Sequence, residues 1–411
     1  MSEFLILKTP RDALSEIIKS LPGKYCSSEN TAVENCLGRV VSENIFAPQS
    51  LPNFPRSTVD GYAVRSVSTF GASNQSPVYL MNIGEVKMGE QIDLVLSKDQ
   101  ALQIHTGGML PGNADSVVMI EDTQKINNEE IEIRRAVAPG ENVLHVGEEI
   151  ESGSILIPSG TRIRAIEIGG LKALGINNIN VRSRPRVGII SSGDELVNPE
   201  AEVLLGQIRD VNTYMLSALV QSWGGEPIRY GIIKDNIGDL FGIAKKAIDA
   251  CDLLVFTAGS SVSDRDVTSE VIKKLGPPGI IVHGINIRPG KPTILAICSE
   301  KPVIGLPGNP VSAYVTSNLL VKPIIEFLLN LKPQFSPTIR AELVTNIPSK
   351  TGREDWIPVR LSETDSGFKA TPIYLKSNFI VSLSNADGFI CISAERTGLE
   401  VGEIVDVVKW I

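Results

Sequence analysis

The chain has 411 residues, a net charge of −8 and 42% hydrophobic residues, enough for several cored domains at roughly 100–200 residues each. The acidic balance excludes sequence-independent nucleic-acid binding, which needs a basic footprint, and no apolar run approaches the roughly 18–20 residues that cross a bilayer. The start has no basic stretch ahead of an apolar one, and the five cysteines and three histidines show no metal-binding spacing, so a cytoplasmic protein with reduced thiols and no membrane partner is expected.

In chain order, the first element is a short amphipathic helix over 10–21. Thr9 caps it, Pro10 opens it, and Leu14, Ile17, Ile18 and Leu21 share a face. An apolar segment around 32–41 leads into a strand expected at 39–45. From Pro48 to about Val146 short β-like pieces alternate with Gly, Pro and Asn turns, at 78–83, 101–105, 116–120 and 130–134. They read as an all-β insertion, with Asn127-Asn128 a hairpin turn. A strand-like piece at 160–164 and a helix at 166–174, ended by Gly175, resume a different style.

Strands at 186–191, 228–233 and 252–257 then alternate with helices at 210–223 and 238–249, which means a parallel sheet. Val303–Leu306 reads as a further buried strand. Asn309 can cap and Pro310 can open a helix over 311–329. After a linker at 331–337 the pattern is all-β again, at 341–344, 356–361, 388–392 and 404–409.

Loops at the carboxyl ends of parallel strands form the ligand crevice of an open α/β sheet. Three here suit phosphate. TAGSSVSDRD (257–266) offers Thr257, Gly259 and Ser260 to surround an anion, and its Asp266 either holds a cation or caps a helix. IRPGKP (287–292) sets Arg288 and Lys291 around a Pro-Gly turn, a pair suited to an oxyanion. LPGNPVSA (306–313), with Gly308, Asn309 and Ser312, aims a helix N-terminus above the sheet. SSGDEL (191–196) adds a turn at Gly193 with the carboxylates of Asp194 and Glu195, and IIKDN adds Asp235 at the next strand end. These acids are either strand-end polarity or a magnesium or ligand-hydroxyl site.

TVDGYAVR puts Asp60 in an Asp-Gly dipeptide before a strand, which alone reads as a hairpin turn. HTGGMLPGNADSVV ends a strand on Thr106, whose two following glycines either allow close backbone approach to a ligand and leave the hydroxyl free to donate, or simply make a wide β-turn. His105 reads as a strand residue rather than a base. Arg353 and Arg360 in GREDWIPVR, and Ser377 farther on, are weaker candidates.

SxxDGYAVR, TGGMLPGNADSVV, GEEI, SSGDEL, IRDVN, GSSVSDRD, RPGKP and LPGNPVSA occur in a fixed order over nearly the whole chain. That order resembles the molybdopterin molybdenumtransferase family (MoeA type, with the gephyrin E domain as a relative). The resemblance implies a multidomain α/β fold. An elongated discontinuous domain (1–46 and 147–182) carries an inserted β domain (47–146), followed by a parallel-sheet molybdopterin-binding α/β domain (183–330) and a C-terminal β-barrel (335–411). It implies insertion of molybdate into adenylylated molybdopterin with release of AMP. In that reaction magnesium polarises the phosphoanhydride while a molybdate oxygen attacks phosphorus.

By the same resemblance, the active site of a homodimer combines the insertion of one subunit with the α/β domain of the other. Asp60 and Thr106 in the insertion, and Glu149 in the GEE segment after it, then match functional positions. Glu195, Asp235 and Asp266 match acidic positions around the pterin and pyrophosphate, Asp235 and Asp266 being the magnesium candidates. Arg288, Lys291, Ser312, Arg353 and Ser377 resemble the molybdate pocket, and Gly193, Asp194, Thr257, Gly259, Ser260, Gly308 and Asn309 flank the substrate. A molybdopterin adenylyltransferase or molybdoenzyme acceptors are the implied partners. The competing readings are an adenylyltransferase, which is expected to need the α/β domain alone, and a non-catalytic dimeric scaffold of the gephyrin E-domain type.

Overall fold

The computed structural model describes residues 7–23, 25–258, 267–333 and 337–410. The first helix spans Pro10–Ser20, and the Thr9 hydroxyl accepts the Asp12 N–H at 3.1 Å as its cap. Its buried residues Ala13 and Ile17, with Leu21 just beyond, pack into the core of the α/β unit beside Val187, Ile189 and Leu295. Farther along, strand Ser28–Ala32 pairs antiparallel with Asn178–Arg182 over a small core of Val33, Val41, Ile163, Leu171 and Val181. Helix Ala165–Ala173 covers that core, and Gly175 leaves it at φ +72°.

The strands expected at 39–45 and 160–164 do not form. Val40 meets Arg162 and Val41 meets Val181 only as isolated bridges, and pairing resumes at Ile45–Phe46 with Ile155–Ile157. Arginine side chains take up backbone carbonyls there: Arg39 donates to the Arg182 carbonyl at 2.8 Å, and Arg182 to that of Ser42 at 3.3 Å. The carbonyls of Arg39, Val40 and Val41 accept backbone N–H groups from Ile163, Arg182 and Gly160 at 2.8, 2.7 and 2.8 Å, so the segment is satisfied without a regular ladder to one partner strand.

The insertion is a six-stranded sheet in the order Ser116–Met119, Gly61–Val64, Gln100–Ile104, Val78–Glu85, Glu130–Ile133 and Thr123–Lys125, with an apolar cluster on each face. The Asp60-Gly61 dipeptide is not a hairpin turn. Gly61 opens a central strand paired on both sides, and a Cβ there would lie 1.9 Å from the Val118 carbonyl oxygen. Close strand approach, not a turn, requires that glycine. The turn at Asn127 does form, its side chain accepting the Glu129 N–H at 2.8 Å.

In the α/β unit, strands Glu226–Ile233, Arg186–Ser192, Leu253–Ala258 and Lys301–Pro307 run parallel in that order. Two strands that the alternation did not announce, Ile294–Cys298 and Pro278–His283, extend the sheet antiparallel. Helices Asn212–Trp223, Ile237–Ala250 and Val267–Lys274 cover it. The helix expected over 311–329 is broken into Pro310–Thr316, a wider π turn Ser317–Val321, and Lys322–Leu328. Pro323 explains the wide turn, because it has no N–H and its ring crowds the carbonyl four residues back.

After the linker, Glu354–Thr364, Gly367–Pro372, Thr338–Leu343, Ile404–Val408 and Gly388–Ile392 pair in turn, and the last returns to the first. The result is a closed barrel filled by Leu343, Val359, Ala370, Ile392 and Val407. Strand Ile287–Arg288 leaves the α/β unit to pair parallel with Glu354 and Asp355 of the barrel. This joint sets the geometry of the site. Among the described residues, no helix is long and apolar enough to cross a membrane.

Candidate active site

A cleft of about 1200 Å³ opens where the barrel meets the α/β unit. Arg288, Lys291, Asn309, Ser312, Arg353 and Ser377 all line it, together with apolar side chains that include Trp356 and Phe379. The RPGK turn is held from below: the Thr293 hydroxyl donates to the Gly290 carbonyl at 2.7 Å, and the Ile285 N–H to the Lys291 carbonyl at 2.9 Å. Gly290 lies at φ +119° with no room for a side chain, since a Cβ would fall 2.3 Å from the Thr316 methyl. Asn309 occupies the helix N-cap position, but its side chain makes no cap hydrogen bond. The Val311 N–H is not free either. It donates to the Ser377 carbonyl at 3.0 Å, which draws the Ser377 loop over the helix start.

Arg353 is oriented by Asp355, a fully buried carboxylate. Its Nε donates to Oδ1 at 2.8 Å and its Nη2 lies 3.4 Å from Oδ2, while the Ser349 hydroxyl donates to Oδ2 at 3.0 Å. Arg288 reaches the same Oδ2 at 3.7 Å. Sequence reasoning missed Asp355. Its signal was the period of two in a strand, which puts Arg353 and Asp355 on one face. Arg360, farther along that strand, is not among the residues that line the cleft.

A second polar cluster lies at the carboxyl ends of the parallel strands. The Ser192 hydroxyl donates to the Asp235 carboxylate, and the Asp235 N–H to the Asp194 carboxylate at 3.3 Å. Gly193 is buried between them, while Asp194, Glu195 and Asp235 are exposed. Beside them Asn212, in the IRDVN stretch, donates from Nδ2 to the Thr257 hydroxyl and to the Gly308 carbonyl, each at 2.8 Å, tying two loops together. Buried Asp210 accepts the Thr213 N–H at 3.1 Å and so starts this helix two residues later than the sequence suggests. Among the described residues, Asn212 Oδ1 and the Ser191 and Thr213 hydroxyls are buried without a partner. Unsatisfied groups at a strand-end crevice are what a polar ligand would satisfy. Gly259, Ser260 and Asp266 lie outside the described residues.

The third group sits in the insertion. The Thr106 N–H donates to Asp60 Oδ1 at 2.7 Å and its hydroxyl to the same oxygen at 3.1 Å, so that hydroxyl is engaged rather than free. These two bonds, the backbone one first, hold the Asp60 carboxyl below its ordinary range. His105 is no plain strand residue: Nε2 lies 2.8 Å from Glu85 Oε1 and Nδ1 lies 3.7 Å from Asp60 Oδ1. The hydrogen bond to Glu85 is the main cause that raises its pKa. Glu149, just past the insertion, is exposed, its N–H bonded to the Leu51 carbonyl at 3.0 Å. Asp60, Thr106 and Glu149 are not among the residues of the cleft, so within one chain the candidate residues fall into separate groups.

Fold and site together define a multidomain α/β protein whose sheet-edge crevice and barrel-side cleft suit an anionic ligand. The MoeA N-terminal region (domain I and II) matches residues 9–175, the probable molybdopterin binding domain 188–326, and the MoeA C-terminal region (domain IV) 340–410. The molybdopterin molybdenumtransferase of Bacillus subtilis is 34% identical over 389 residues, 93% of this chain and 90% of that protein. That of Nostoc sp. is 34% identical over 405 residues, 96% of this chain and 92% of the other. A crystal structure of the molybdopterin biosynthesis MoeA protein from Pyrococcus horikoshii superposes with a TM-score of 0.82 at 38% identity, covering 98% of this chain and 99% of that one. The chain belongs to the MoeA family.

Proposed function

We propose that this protein inserts molybdate into adenylylated molybdopterin and releases AMP. One observation carries the reading: Arg288, Lys291 and Arg353 converge with Ser312 and Ser377 on one cleft. A tetrahedral dianion needs a few convergent cations and hydroxyl donors, and guanidinium forks meet oxyanions through paired N–H groups. The cleft is much larger than such an ion, which leaves room for part of the second substrate. The strand-end crevice beside Ser191, Asn212 and Thr213 would take that substrate's polar portion. In this reading the chain's own residues act mainly by holding the two reactants in register.

Magnesium fits the strand-end acids. Asp194 and Asp235 offer only oxygen donors, and magnesium is commonly held by one or two carboxylates together with substrate phosphates. It would neutralise charge on the pyrophosphate. The separation of Asp60, Thr106 and Glu149 from the cleft supports a homodimer in which the insertion of one subunit completes the site of its partner.

Purified protein incubated with adenylylated molybdopterin, magnesium and molybdate tests the proposal by AMP release. Release that requires molybdate is the expected outcome. ATP-dependent adenylylation of molybdopterin would instead assign an adenylyltransferase, and neither activity in a folded dimer would leave a scaffold.

A further inference from the structure

We propose that Asp355 is a positioning residue for the oxyanion, setting the aim of both arginines in the cleft; this rests on the reading of the cleft as the molybdate site. The carboxylate is fully buried, yet it receives charge from two directions. Arg353, in the turn just before the barrel strand, donates through Nε and Nη2, and Arg288, across the joint from the α/β unit, brings Nη1 to 3.7 Å. The register pairs Arg288 directly with Asp355. One anion thus holds two cations that belong to different domains.

The consequence is geometric before it is electrostatic. Arg353 spends one edge of its guanidinium on Asp355 and keeps Nη1 for a ligand, and Arg288 likewise keeps Nη2. Without the carboxylate, two like charges would confront each other at the mouth of the cleft and swing apart. A simple charge count makes the opposite forecast. Removing one anion from a cleft lined by Arg288, Lys291, Arg353 and Lys376 should tighten anion binding. The two views therefore differ in sign.

The test is Asp355→Asn, which keeps shape and removes charge, with Michaelis constants for molybdate and for adenylylated molybdopterin measured separately by AMP release. Positioning predicts a rise of about tenfold in KM for molybdate, with the other KM changed less than about twofold. An unchanged or lowered KM for molybdate overturns the proposal, and so does an equal rise in both. Should that variant fail to fold, Ser349→Ala decides, because it removes only the hydroxyl donor on Oδ2. A rise in KM for molybdate alone supports the assignment, and no rise refutes it. If the wild-type protein releases no AMP at all, the reading of the cleft has failed. In that case tungstate binding to wild type and Asp355→Asn, measured by calorimetry, judges Asp355 on its own: weaker binding by the variant supports it, and equal or tighter binding rejects it.

Discussion

Replacing Gly290 by alanine perturbs the cleft at its tightest point. The new methyl would lie 2.3 Å from Thr316 Cγ2, well inside van der Waals contact. Thr316 is fully buried, and its hydroxyl donates to the Ser312 carbonyl at 2.8 Å, so the methyl cannot rotate away without breaking that bond. Overpacking of this kind costs about 1–3 kcal/mol. The backbone at φ +119° adds about 1 kcal/mol for any residue with a Cβ. The sum is about 2–4 kcal/mol against a total stability of about 5–15 kcal/mol, so the variant should fold but unfold at lower urea. Tryptophan fluorescence reads this directly, because Trp223 and Trp356 belong to the main core and Trp410 packs on it. In the folded variant the displaced turn carries Lys291 with it, and KM for molybdate should rise. A stability loss below about 0.5 kcal/mol, with KM unchanged, would show that the turn is not clamped as described.

Other expectations follow from the remaining clusters. Asn212→Ala removes two hydrogen bonds, one of them to the buried Thr257 hydroxyl, and should cost about 1–3 kcal/mol by denaturation. It should raise KM for adenylylated molybdopterin more than KM for molybdate, and the reverse order would detach Asn212 from the crevice. The insertion predicts a pH effect. Glu85 raises the pKa of His105, so the stability from that pair is complete below the ordinary value of 6.5 and is lost as pH rises through the folded value. Asp60 has the opposite sense: its contribution holds above its ordinary value of 3.8 and is lost as pH falls through the lowered folded value. The melting temperature of wild type should therefore exceed that of His105→Gln at about pH 5.5, with the gap closing by about pH 9. A gap that widens with pH contradicts the ion pair.

Much of the scaffold was legible because local rules and tertiary packing agreed. Thr9-Pro10 and Asn309-Pro310 announced helix starts, and alternating strand and helix announced the four parallel strands. What stayed hidden depended on partners distant in sequence. Asp355 lies in a charged stretch that reads as surface, and only the barrel's closure buries it. The Asp60, Glu85, His105 and Thr106 group assembles from separate strands, so neither the engaged Thr106 hydroxyl nor the paired His105 could be read locally. Near Arg39 the expected strand is replaced by scattered pairings: the carbonyls of Arg39, Val40 and Val41 accept the N–H groups of Ile163, Arg182 and Gly160, which no local pattern announces. RPGK was visible as a cationic turn, but its approach to Arg353 required the joint between two domains.

Tungstate, a heavy analogue of molybdate, tests the central claim directly, because its position in a crystal can be located by anomalous scattering. Density in the cleft, within hydrogen-bond reach of Lys291 and Arg353, is the predicted result. Density at the Ser192 and Asp235 strand ends, with the cleft empty, would contradict it.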